Sequence, residues 1–231
     1  MLGFGSKMFP TPKTQHLKPN TQHPIPKKMK IICIGRNYVN HIQELQNERP
    51  TEPVIFMKPD SAVLLKQHPF VIPEFSNQIH HEIEVIVRIN KVGKYIDAKF
   101  AHKYYDEISV GIDFTARDVQ DQLKAKGLPW EKAKSFDGSA VIGEFLPKSQ
   151  FISMENITFE LTNNNKTVQK GNTSHMLWKI DELISFVSQY FTLKIGDIIF
   201  TGTPEGVAAV KPDDVLEGFL EGNKLFRIQI K

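Results

Sequence analysis

The run His80-His81-Glu82-Ile83-Glu84-Val85-Ile86-Val87-Arg88-Ile89 sets the first limit on the fold. Side chains on a β-strand alternate faces, so Ile83, Val85, Val87 and Ile89 form one apolar face. Glu82 and Glu84 then point together to the other face. Two carboxylates held this close repel unless a proton or a cation intervenes. Taken alone, the stretch fits a solvated outer face equally well.

A second stretch adds to the first. Ile108-Ser109-Val110-Gly111-Ile112-Asp113 alternates in the same way and ends on an acid. It runs into Thr115-Ala116-Arg117-Asp118, which has the form of a capping-box helix start. An acid at a strand end, beside a glycine and a helix N-terminus, is well placed to join a site. Glu82, Glu84 and Asp113 would offer three hard oxygen ligands, with water or substrate completing an octahedron. Such a set suits Mg2+ or Mn2+ and is poor for zinc, which prefers His and Cys.

The rest of the chain supplies the frame. Its 231 residues allow one good-sized core. A 40% apolar and 24% charged content is ordinary for a soluble globular protein. The formal net charge of +3 hides an asymmetry: residues 1–28 carry Lys7, Lys13, Lys18, Lys27 and Lys28 and no acid, a contribution of +5, which leaves −2 for the remainder. The basic balance belongs to this Pro- and Lys-rich segment, so nucleic-acid binding is not expected of the body. Without apolar periodicity, 1–28 is expected to be an extension lacking catalytic content, followed by one domain over 29–231. The segment lacks the arginines of a mitochondrial presequence and the apolar stretch of a secretion signal. No apolar run approaches the roughly 20 residues that span a bilayer, so no membrane association is expected. The single cysteine, Cys33, excludes an internal disulfide and fits a reducing compartment, the cytoplasm being expected.

From Met29 onward, strands are expected at 31–34, 54–57, 70–72, 82–89, 107–112, 157–161, 197–201 and 224–230. Helices are expected at 39–45, 116–123 and 180–190, the last with an apolar stripe of Ile180, Leu183, Ile184 and Val187. Strands dominate without βαβ alternation, which favours an α+β, mostly β architecture over a doubly wound sheet.

Several segments together resemble the fumarylacetoacetate hydrolase superfamily, and most closely its short acylpyruvase and oxaloacetate-decarboxylase members. They are Gly35-Arg36-Asn37-Tyr38 with His41 and Glu44, Phe56-Met57-Lys58-Pro59, His81-Glu82-Ile83-Glu84, and Asp113 through Gln120. Lys126-Gly127-Leu128-Pro129-Trp130, Lys134-Ser135-Phe136-Asp137-Gly138, and Gly196-Asp197 through Gly202-Thr203-Pro204-Glu205-Gly206-Val207 complete the set. The pieces fall in family order and cover the chain from Met29 to the C-terminus. The resemblance implies a mixed β-roll with a few short helices, a homodimer, and one Mg2+ or Mn2+ ion per chain on Glu82, Glu84 and Asp113. The family's run usually ends Gly-Val-Gly, and here Ala208 replaces the last glycine. Alanine tolerates positive φ poorly, so altered loop angles are expected there.

The resemblance also assigns roles. The expected substrate is a small 2-oxo acid, cleaved by acylpyruvate hydrolysis or by oxaloacetate decarboxylation. Lys134 would add positive charge where the enolate oxygen forms, although a lone lysine in this place reads as exposed. Arg36, Arg117 and Gln120 are expected to contact substrate, while Arg117 could instead hold Asp118 or Asp121. His41 and Glu44 lie three apart and share a helix face. Placed on a mobile lid, the pair would take a proton from water, and by spacing alone it reads as a surface pair. Thr203 would bind a substrate carboxylate by its hydroxyl and N–H, or else form an ordinary turn. His81 reads as structural and Cys33 as inert. An isomerase or hydratase acting on dienoic dicarboxylic acids is the alternative reaction, and a non-catalytic metal-binding protein the alternative class.

Overall fold

The computed structural model describes residues 29–45 and 48–231. The expected extension 1–28 lies outside the described residues. The architecture is the α+β, mostly β one expected, built on a curled mixed sheet. In spatial order, this sheet runs β2 (Val54–Lys58), β1 (Ile31–Gly35), β11 (Ile198–Phe200), β4 (Ile83–Ile89), β5 (Tyr105–Asp113) and β7 (Ala140–Ile142), with β8 (Leu146–Pro147) also on β5. The β1–β11 pair is parallel and the other pairs are antiparallel. A four-stranded sheet follows the order β10 (Lys166–Asn172), β9 (Thr158–Asn163), β13 (Val215–Leu220), β14 (Asn223–Gln229). A small third sheet joins β12 (Ala208–Ala209), β3 (Ile79–His81) and β6 (Thr115–Ala116). The helices are α1 (Val39–Glu44), α2 (Ala98–Ala101), α3 (Arg117–Ala125), α4 (Glu131–Lys134) and α5 (Ile180–Tyr190). No helix among the described residues is long and apolar enough to cross a membrane.

The alternation along β4 separates two apolar layers. Ile83, Val85, Val87 and Ile89 face a large core shared with Leu183 and Val187 of α5 and with Phe159 and Leu161 of β9. Ile86 faces the other side, with Ile31, Cys33, Ile198 and Phe200. Helix α5 has the expected bounds because its stripe is buried and its start is capped: Glu182 accepts the Lys179 N–H at 2.7 Å.

Four local expectations are corrected. The strand expected at 82–89 breaks at Glu82, so β3 and β4 join different sheets and the acid sits at the corner. The strand expected at 70–72 is reduced to an isolated bridge between Phe70 and Ile230. Pro69 and Pro73 bracket it and offer no N–H to a ladder. The capping box at Thr115 does not form: Ala116 caps α3 without a side-chain bond, and the Thr115 hydroxyl is taken by Lys134. Ala208 is extended in β12, paired with His81, and needs no left-handed backbone.

Gly111 is fixed by contact. A Cβ there would lie 2.4 Å from the Val141 carbonyl oxygen and 2.9 Å from the Phe200 ring. Gly111→Ala is therefore expected to cost about 1–3 kcal/mol, the usual range for overpacking. Urea unfolding checks this, and a loss below about 0.5 kcal/mol, the scatter of neutral surface substitutions, would contradict it.

Candidate metal centre

The register of the main sheet assembles the acids. Glu84 of β4 pairs with Gly111 of β5, and the Asp113 N–H donates to the Glu82 carbonyl at 2.9 Å. Glu82, Glu84 and Asp113 therefore emerge on one side of two neighbouring strands, each offering a carboxylate oxygen within 4.8 Å of the others. All three are buried. Burial, then the charges of Asp113 and Glu82, push the Glu84 carboxyl well above the usual range, against the Gly202 N–H at 2.7 Å and the Lys134 charge. Burial also opposes ionisation of Glu82, but Lys134 and Arg117 prevail and hold it well below the usual range.

Cations reach Glu82 and Asp113, whereas Glu84 is in no ion pair among the described residues. Lys134 Nζ donates to Glu82 (2.7 Å), Asp113 Oδ2 (2.7 Å) and the Thr115 hydroxyl (2.6 Å), using all three of its hydrogens. Burial disfavours its ammonium, yet Asp113 and Glu82 outweigh that and raise its pKa. Lys134 is thus buried, and the exposed reading is corrected. Arg117 pairs with Glu82 and donates to Gln120 at 2.6 Å. It does not hold Asp118, whose carboxylate accepts from Ser76, Asn77 N and Val119 N. Lys58 Nζ lies 2.7 Å from Asp113 Oδ1, but its hydrogens go to the Lys134 carbonyl and to Ser139. Asp113 Oδ1 is consequently buried without a hydrogen bond. Three hard oxygen donors, one with an oxygen that takes no hydrogen bond and meets only the Lys58 charge, and another crowded by like charge, fit a divalent cation such as Mg2+ or Mn2+.

The remaining expected residues converge on the same cavity. His41, buried on α1, has its Nδ1 3.2 Å from Glu44 Oε2. A carboxylate only accepts, so Nδ1 carries the hydrogen and Nε2 is left as the basic nitrogen. Burial lowers the His41 pKa, with Glu82 and Glu44 opposing. The second Glu44 oxygen accepts the Gly206 N–H at 3.0 Å, and Asn40 donates to Glu205 at 3.1 Å, so α1 is tied to the 202–206 loop. Arg36, Gln120, Thr203, Lys124 and Trp130 also line this cavity, whose open volume is about 30 Å3. With α1 in place it has room for little more than an ion or a water. A larger groove of about 1110 Å3, lined by Met57, Phe75 and Phe136, does not contain the triad, so size alone would misplace the site.

Gln169 escaped the sequence reading, since the polar stretch around it carries no strand signal. A register shift between Thr167 and Gln169 turns this side chain inward. Its Oε1 accepts from Ile83 N (3.0 Å) and meets His81 Nδ1 (2.9 Å), while its Nε2 donates to Thr203 Oγ1 (3.0 Å) and the Pro204 carbonyl (3.1 Å). One amide thus fixes the strand between two of the acids and turns the Thr203 hydroxyl so that its own hydrogen is free to donate. His81 meets Gln169 and is not among the residues that line the triad cavity.

Residues 30–228 match the family described as fumarylacetoacetate (FAA) hydrolase C-terminal. The chain is 41% identical over 192 residues to the mitochondrial oxaloacetate tautomerase FAHD1 of Bos taurus, covering 83% of this chain and 87% of the relative. It is 41% identical over 194 residues to a mitochondrial oxaloacetate decarboxylase of Dictyostelium discoideum, covering 84% and 89%. The fumarylpyruvate hydrolase of Pseudomonas aeruginosa, solved with Mn2+ and pyruvate, superposes with a TM-score of 0.82 at 32% identity, covering 88% and 89%. Family match, identity and fold agree over nearly the whole described chain, which therefore belongs to the fumarylacetoacetate hydrolase family.

Proposed function

We propose that this chain is a Mg2+- or Mn2+-dependent enzyme that breaks a carbon–carbon bond in a small 2-oxo acid, by acylpyruvate hydrolysis, by oxaloacetate decarboxylation, or both. The observation that carries this reading is the buried carboxylate triad, one of whose oxygens accepts no hydrogen bond, together with a nearby histidine oriented by its own carboxylate. The names of the relatives support the substrate class. A homodimer is carried over from the family resemblance alone. A reducing compartment, the cytoplasm, is inferred from the lone buried Cys33, although the two eukaryotic relatives are named mitochondrial.

When bound, a divalent ion would supply Lewis acidity at the 2-oxo group and a template for the 1-carboxylate. The Thr203 hydroxyl, Arg117 and Gln120 would hold the substrate's 1-carboxylate end, and Arg36 would also contact the substrate. In hydrolysis, His41 Nε2 takes a proton from water and hydroxide adds to the C4 carbonyl. The C3–C4 bond then breaks, its electron pair passing into an enolate with charge on the C2 oxygen. The Lys134 charge offsets that oxygen, and His41 returns the proton to C3 to give pyruvate. In decarboxylation the same bond breaks with loss of carbon dioxide, and no water is activated.

A second reading is keto–enol tautomerisation of oxaloacetate, favoured by the relatives named for it and by the same proton-accepting His41 Nε2. Pyruvate release from acetylpyruvate and from oxaloacetate, with Mg2+, Mn2+ or EDTA, tests the first reading. Decay of the enol absorbance of oxaloacetate without pyruvate release would replace it with the second.

Mn2+ at about 100 times its Kd should stabilise the fold by about 2.7 kcal/mol, roughly 5–10 °C in Tm for a domain of this size, and EDTA should reverse the shift. Glu84→Gln should remove that shift and lower pyruvate release by roughly 100-fold or more, beyond the usual loss for an outer-shell partner. An intact Mn2+ shift in the variant would remove Glu84 from the ligand set.

His41→Ala should lower acylpyruvate hydrolysis by about 10^2–10^4-fold and oxaloacetate decarboxylation far less. Equal losses on both substrates would contradict the base assignment.

The base must be neutral, and burial lowers its pKa, so hydrolysis should persist below the ordinary histidine value of about 6.5 and fail as pH drops through the lowered one. Glu44 raises that pKa, so Glu44→Gln should move the acid limb of kcat/KM to still lower pH. An upward move would contradict the pairing.

A further inference from the structure

The cavity lining is electrostatically lopsided. Arg36, Arg117, Lys124 and Lys134 face Glu82, Glu84 and Asp113, four cations against three carboxylates. A divalent ion on the acids would bring the lining to a net +3. Arg117 and Lys134 are already committed to the triad. Arg36 and Lys124 are in no ion pair among the described residues. We propose that Arg36 and Lys124 form an anion subsite that holds a second carboxylate, so that the site selects 2-oxo dicarboxylates over monocarboxylates. This rests on the reading of the site as a 2-oxo acid enzyme.

Helix geometry places the subsite. Arg117, Gln120 and Lys124 of α3 are spaced i, i+3, i+7 and share one face, which lines the cavity. Positions 117 and 124 are about 10 Å apart along the axis, and side chains lean toward the helix N-terminus, so Lys124 reaches back toward Arg117. The substrate's 1-carboxylate lies by the triad, and Lys124 meets the far end of the molecule. Burial lowers the Lys124 pKa and Arg117 adds to this, with Arg36 in the same sense; Asp121 opposes them. An arriving anion relieves that crowding.

The rim is held rather than floppy. Lys124 Nζ sits 5.7 Å from the centre of the Trp130 ring, and Trp130 packs on Phe56 at 5.9 Å between centroids. Trp130 also fills the space beside Gly35, where a Cβ would be 3.6 Å from its ring. The next residue, Arg36, has φ 60, a left-handed conformation that arginine seldom adopts. Its neighbour Asn37 anchors it, with bonds to Thr201 O (2.7 Å) and to Trp178 N (2.9 Å) and O (3.1 Å). Strain maintained this way at a cavity wall is typical of a residue kept for contact with a ligand.

The test compares two inert probes on the Mn2+-loaded full chain by calorimetry. Malate and 2-hydroxybutanoate share a skeleton and differ in the second carboxylate, and neither is a 2-oxo acid. Wild type should bind malate at least about 10-fold tighter, a preference expected of a desolvated charge contact. Lys124→Met should reduce that preference to about twofold, with 2-hydroxybutanoate affinity nearly unchanged. Arg36→Gly, which suits the left-handed backbone, should also reduce it. Equal affinities in wild type, or a preference untouched by both substitutions, would overturn the subsite. Turnover of oxaloacetate and acetylpyruvate is measured separately. Inactive protein that keeps the malate preference would sink the reaction assigned above while supporting the subsite.

Discussion

The repulsion among three buried carboxylates governs this molecule. Nothing in a low-dielectric interior tolerates Glu82, Glu84 and Asp113 side by side unless positive charge is brought to them. Much of the surrounding structure supplies that charge. Helix α4 ends on Lys134 so that its ammonium reaches two of the acids, and α3 begins on Arg117 so that its guanidinium reaches one. Lys134 and Arg117 thus have their places because an acid needs them, whereas Arg36 and Lys124 on the same cavity wall are in no ion pair among the described residues. An arriving divalent ion would compete with Lys134 for the same oxygens, which would free that ammonium for a developing negative charge.

Much of the fold was legible because periodicity and burial agree. The stripe of Ile180, Leu183, Ile184 and Val187 located α5, and the alternation of Ile83 through Ile89 located β4 and its two faces. The same alternation put Glu82 and Glu84 on one side, and the antiparallel register brought Asp113 to them. What periodicity cannot express was missed. The break at Glu82 arises where one strand leaves a sheet for another, a tertiary event with no local signature. Thr115 looked like a cap because spacing cannot tell that a lysine 19 residues away claims its hydroxyl.

The candidate site shows the same division. Residues carried by recognisable motifs, such as His41 or Thr203 in its loop, are brought to one cavity, with Glu44 behind His41. Lys124 and Gln169 were passed over. Lys124 looked like any charge on an amphipathic helix, and only its place over Trp130, without an acid partner among the described residues, separates it from the others. Gln169 lies in Lys166–Asn172, whose polar composition resembles a surface strand or a loop.

The hydrogen-bond valences of Gln169 impose a constraint of their own. Two lone pairs and two N–H groups are all committed, to two separate stretches of chain, 81–83 and 203–204. Glutamate has the right shape but no donors, and it would add a fourth negative charge near the acids. Leucine has the right bulk but would leave four polar partners unanswered. Asparagine is too short to span the gap. A position that composition alone would mark as freely interchangeable is therefore one where the twenty-letter alphabet offers hardly any synonym.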